Sequence, residues 1–146
     1  MVKEAVIPSY REILSAYWSY QTVLYLALGY LPEGVNGLTA DSGKWNEVVC
    51  ELKKEFPEFF PNVHFLYRDP LPPHSDQIED FLFFAGVSEV LQTTSNYEVY
   101  LATDKAKIRL RERGEGKFSQ EQLTAIREIS QVINEKLAVS LTTKPR

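Results

Sequence analysis

Lys105-Ala106-Lys107-Ile108-Arg109-Leu110-Arg111-Glu112-Arg113 sets a basic residue at every second position, with Ala106, Ile108 and Leu110 in three of the gaps. In a β-strand, successive side chains point to opposite faces. Read as a strand, 105–113 turns five cations to one face and three apolar groups toward a core. The run before it, Tyr97-Glu98-Val99-Tyr100-Leu101-Ala102-Thr103, alternates in the same way and is rich in β-formers. Asp104-Lys105 can turn one run into the other. The spacing therefore predicts a β-hairpin over 97–113.

Downstream, Gly114-Glu115-Gly116 closes the basic strand. Phe118-Ser119-Gln120-Glu121-Gln122-Leu123 combines a capping box with a Phe118–Leu123 hydrophobic staple, a clear helix start. Ile126, Ile129, Ile133 and Leu137 continue that helix along one face.

Upstream, Ser75 is placed to cap a helix whose apolar stripe is Ile78, Phe81, Leu82 and Ala85. Gly86 interrupts it, and residues 87–92 read as a further short helical piece followed by a loop at 93–96. Pro70-Leu71-Pro72-Pro73-His74 reads as an extended, polyproline-like connector. Val63–Tyr67 is a short strand candidate between turn signals. A helix beginning near Asp41 or Ser42 carries Trp45, Val48, Val49, Leu52 and Phe56 on one face, and Pro57 stops it. At the N-terminal side, Ser9 and Glu12 form a capping box. From Tyr10 through Ile13, Leu14, Tyr17, Trp18, Leu24 and Tyr25 to Leu28, apolar residues recur at helical spacing, ending at Gly29.

These elements give an α+β fold of about four helices with a small antiparallel sheet built on the 97–113 hairpin, joined by Val63–Tyr67. At 146 residues, the length fits one domain, 1–146, with residues 1–8 and 139–146 loosely ordered. Apolar residues at 44% and charged residues at 25% are ordinary for a globular chain. No apolar run is long enough for a transmembrane helix, and the N-terminus lacks the apolar stretch of a signal peptide. With one cysteine, Cys50, and hence no internal disulfide, a cytoplasmic location is expected, with no membrane association.

Charge is unevenly placed. Residues 105–117 hold six cations against two anions, a local +4, so the remainder carries −8 of the total −4. Lys105, Lys107, Arg109, Arg111, Arg113 and Lys117 are accordingly the candidate contacts for an anionic macromolecule, either acidic protein or nucleic acid. The first helix is apolar nearly all round in its second half. That suits a core helix or, through Tyr17, Trp18, Leu24, Tyr25 and Leu28, self-association into a homo-oligomer.

Ala85-Gly86-Val87-Ser88 after an amphipathic helix resembles the turn of bacterial helix-turn-helix regulators, and the 97–113 hairpin then resembles a wing. The resemblance implies a DNA-binding regulator over 75–113. Its recognition segment, Glu89–Asn96, has no Arg or Lys.

An enzyme reading rests on His64 and His74, with Asp69 and Asp76 nearby as a sketch of a metal or acid–base site. No His-x₃-His, Glu-x-x-His or Cys-x-x-Cys spacing accompanies them. Pairing Cys50 with His64 as nucleophile and base has no local signature either. Nucleotide-binding loops and the serine-hydrolase elbow are missing, so no cofactor is expected. The reading that emerges is a small, non-catalytic binding or accessory protein.

Overall fold

The structure of the chain, a computed structural model, describes residues 18–88, 90–93 and 99–139. The Ser9 capping box, Tyr10 to Tyr17 of the first stripe, Thr94–Glu98 and the tail from Ser140 lie outside the described residues. The fold is α+β: the described residues form five helices beside an antiparallel sheet of three short strands and a separate two-stranded ribbon.

Helix α1 spans Tyr20–Gly29. The apolar stripe does not run through Trp18 and Ser19 as one helix, because Ser19 is extended and its N–H donates to Thr22 Oγ1 at 3.1 Å. That contact gives a helix start at Tyr20. Leu24, Leu26 and Leu28 are all fully buried, so α1 is the central element of the core.

Strand β1, Gly37–Thr39, follows the turn-rich connector. Helix α2, Ser42–Glu55, starts where expected: the Asp41 carboxylate accepts from the backbone N–H groups of Gly43 and Lys44. Trp45, Val48, Val49 and Leu52 are buried, and Pro57 opens a single 3₁₀ turn after the helix. The Trp45 indole donates to the Thr39 carbonyl at 2.6 Å, tying α2 to β1.

The predicted strand at 63–67 is displaced. Strand β2 is Leu66–Arg68, and it pairs antiparallel with β3, Leu71–His74. The Pro-rich stretch is therefore a strand and not a free connector. Pro72 and Pro73 are tolerated because the ribbon is two-stranded and each strand is an edge.

Helix α3, Asp76–Val87, buries the predicted stripe of Ile78, Phe81, Leu82 and Ala85. It continues through Gly86, which had been expected to break it. No second helical piece follows among the described residues: Gln92–Thr93 is strand β4.

Strand β5, Val99–Leu101, lies within the run expected to be extended, but its partners are different. It sits between β1 and β4, pairing Leu38 with Tyr100 and Thr93 with Tyr100. The second arm of the predicted hairpin is not a strand. Asp104–Gly114 is helix α4, capped by Thr103, whose hydroxyl accepts from the Ala106 N–H at 3.1 Å.

Local chemistry explains that correction. Ala, Leu, Lys, Arg and Glu are all strong helix formers, and Ile108 is the one β-branched residue in the segment. Asp104 in the first turn and Arg111 and Arg113 in the last suit the helix dipole. The strand-like alternation is a by-product of three cations spaced four apart interleaved with two that point elsewhere.

Helix α5, Gln120–Leu137, opens on the expected capping box, with Ser119 and Gln122 bonded reciprocally. Ile126, Ile129, Ile133 and Leu137 are fully buried. Its far end is fastened to the sheet, where the Val139 N–H donates to the Gly37 carbonyl at 3.0 Å. A continuous buried cluster takes side chains from all five helices, and α1 packs chiefly on α4 and α5.

Candidate functional site

A helix turns about 100° per residue, so alternate positions fan out around it instead of sharing a face. The six cations are divided accordingly. Lys105, Arg109 and Arg113 recur every four residues and form an exposed stripe along α4. Lys107 and Arg111 point the other way, toward α1.

Lys107 is 2% exposed. Its ammonium donates to the Pro32 carbonyl at 3.0 Å, Asn36 Oδ1 at 3.1 Å and Asp104 Oδ1 at 3.0 Å. A buried cation is tolerated when fully hydrogen-bonded, and three acceptors match the three donors of an ammonium. The Lys107 hydrogen bond holds the Asp104 carboxyl below its ordinary pKa, helped by the Gly34 N–H. Arg111 Nη1 donates to the Gly29 carbonyl at 2.6 Å, satisfying an end carbonyl of α1. These two cations bind the protein to itself and are withdrawn from the expected partner surface.

Four remain. Lys105, Arg109 and Arg113 are exposed, and Lys117, in the 3₁₀ turn Glu115–Lys117, is half-buried. Among the described residues, no carboxylate forms a salt bridge with any of them. The acid nearest Lys117 in sequence, Glu115, accepts from the Tyr30 hydroxyl at 2.9 Å.

A groove of about 320 Å³ opens beside the stripe, between α1, α4, Ser88 and Val90. Tyr25, Leu26, Val90 and Leu110 supply its apolar surface, Thr22 and Ser88 add hydroxyls, and Arg113 and Lys117 bring two cations. Burial raises the Tyr25 pKa, so its hydroxyl stays neutral at ordinary pH. Arg113 belongs to both the stripe and the groove.

The candidates for self-association differ in burial: Leu24 and Leu28 lie in the core, and Trp18 and Tyr25 are half-buried against it. Leu24 and Leu28 have no exposed surface. Trp18 stacks against Phe118 at 5.2 Å and Phe59 at 6.0 Å, and Tyr25 against Phe81 at 5.0 Å. Tyr17 lies outside the described residues. Exposed apolar side chains sit elsewhere: Phe83, Phe84 and Val87 on the outer face of α3, and Leu66, Tyr67 and Leu71 on the β2–β3 ribbon. Their spacing was not singled out in the sequence because the stripe facing the core dominates α3.

Among the described residues, the geometry implied by the helix-turn-helix resemblance is not found. After α3 come a turn and β4 in place of a recognition helix, and the proposed wing contains α4.

The two histidines lie in different surroundings. His74 is held by acids at the start of α3, with Nε2 3.0 Å from Asp76 Oδ1 and Nδ1 3.9 Å from Glu79 Oε1. Glu79 also accepts from Asn46 Nδ2, which links α2 to this end of α3. His64 is exposed and lines a groove of about 480 Å³ with Cys50, Lys53, Lys54 and Tyr67, without a carboxylate among the lining groups. Cys50 is buried, and its Sγ lies 3.6 Å from the Tyr67 hydroxyl. Among the described residues, no group of three or more His, Cys, Asp or Glu is arranged to hold a metal ion, and no helix is long and apolar enough to cross a membrane.

No family model matches the chain, and no curated protein or solved structure is detectably similar to it.

Proposed function

We propose that this chain is a non-catalytic binding protein of a reducing, cytoplasmic setting, and that the exposed stripe Lys105, Arg109 and Arg113, with Lys117 beyond it, docks an anionic partner. One observation carries the reading: Lys105, Arg109 and Arg113 are exposed and Lys117 is half-buried, none with a salt-bridge partner among the described residues, on a chain whose remainder is strongly acidic. Long cationic side chains kept in water on a rigid helix are available for complementary charge.

An acidic protein segment fits better than nucleic acid. Nucleic-acid-binding domains commonly have an isoelectric point above about 9, whereas this chain has one near 5.3. The −8 carried outside residues 105–117 opposes the long-range approach of a polyanion. A short acidic segment needs to complement the stripe alone.

The test is fluorescence anisotropy with a labelled short polyglutamate peptide, long enough to span the α4 stripe alone, and with labelled duplex DNA, each titrated at low and at physiological salt. The expected result is polyglutamate binding that weakens with salt, and weaker binding of DNA. No polyglutamate binding at low salt would overturn the proposal. Tighter binding of DNA would reassign the partner to nucleic acid.

A further inference from the structure

We infer that the groove between α1, α4, Ser88 and Val90 is an anchor pocket, and that the segment docking on α4 is acidic with one bulky apolar side chain among its carboxylates. This rests on the reading of the α4 stripe as an anionic-partner surface, and it adds what that partner must look like.

Three observations support it. At about 320 Å³ the groove is at the small end of the range of ligand-binding clefts, about 300–1,000 Å³. Leu26, Val90, Leu110 and the ring of Tyr25 supply apolar surface that favours a hydrocarbon or aromatic group, while the hydroxyls of Thr22, Tyr25 and Ser88 are polar points on the wall. Arg113 is shared by the stripe and the groove, and Lys117 lines the groove as well, so the carboxylates flanking an inserted side chain would meet cations. An apolar pocket beside an exposed charged surface is the usual anatomy of an interface hot spot. Because the groove opens beside α4, a chain lying along the stripe can insert a side chain without leaving the helix surface.

The experiment uses the full chain and two labelled synthetic peptides of equal length and charge. One has a Trp flanked by glutamates; the other has Ser in its place. Burial of the anchor is expected to make the Trp peptide bind about 10- to 100-fold tighter. Ser88→Trp, which fills the groove from an exposed position, is expected to reduce the Trp peptide to the affinity of the Ser peptide while leaving the latter unchanged. Val90→Lys is the second variant: it should weaken the Trp peptide although it adds a favourable charge. Retained binding of the Ser peptide reports that each variant is folded.

Equal affinity of the two peptides for the unaltered chain would overturn the anchor pocket and leave the α4 docking surface standing. Failure of both peptides at low salt would overturn both. Binding of laurate in the absence of either peptide would assign the groove to a small amphiphile and likewise overturn the proposal.

Discussion

Lys107 places an ammonium where almost no solvent reaches it, and three oxygens from two segments of the chain converge on it. Its effect is to staple α4 to the connector at Pro32–Asn36. Lys107→Met leaves the Asn36 and Pro32 acceptors without their donor, and the expected loss is about 2–4 kcal/mol in urea unfolding. The same substitution at Arg109, which is exposed, should stay within about 0.5 kcal/mol. Asp104 gives the pH signature of the staple. Its folded pKa lies below the ordinary 3.8, so the unfolded chain binds the proton more readily. Stability from this group is then present above pH 3.8 and lost as the pH falls through the lower folded value. Urea midpoints measured down through the acidic range should fall more steeply for the unaltered chain than for Asp104→Asn; identical profiles would remove Asp104 from this role.

At the scale of elements, α1 and α4 approach closely at Gly29. A Cβ on Gly29 would stand 3.1 Å from the Lys107 carbonyl oxygen, Leu110 Cβ and Arg111 Cγ, two of them rigid parts of the neighbouring helix. Alanine gains about 1 kcal/mol in helix propensity over glycine, but overpacking typically costs about 1–3 kcal/mol. Gly29→Ala is therefore expected to lower the unfolding temperature. Gly86→Ala, where a Cβ meets nothing within 4 Å, should raise it slightly. The opposite signs in one thermal-melt experiment test whether α1 and α4 pack as described.

The elements differ in how far they could be read from residues alone. Helices α2 and α5 were legible because cap and stripe agree within each of them, and α3 because of its apolar stripe, although the Ser75 side chain makes no capping hydrogen bond and Gly86 does not end the helix. Helix α4 was not, since its inward face consists of Lys107, Leu110 and Gly114. A buried lysine and a buried glycine leave no hydrophobic period of 3.6, and the alternation of cations is what remains visible. The better signals were helix propensity and the Thr103 cap. Strands β1 and β4 are three and two residues long, too short for any period to show. The candidate cations stand out in the sequence as a charge concentration, but the internal hydrogen bonds of Lys107 and Arg111 depend on helical geometry and on contacts more than 70 residues away in sequence.

For the whole molecule, separation of charge is the main feature: +4 over residues 105–117 and −8 over the rest. The outward cations contribute little to folding, as exposed charges generally do, so folding and docking should be separable by mutation. Charge reversal of Lys105, Arg109 and Arg113 together, followed by anisotropy with labelled polyglutamate at low salt and by thermal unfolding, tests this most directly. The expected result is a binding loss of at least about tenfold with an almost unchanged melting temperature. Unchanged binding, in a variant that melts like the original, would contradict the assignment of α4 as the docking surface.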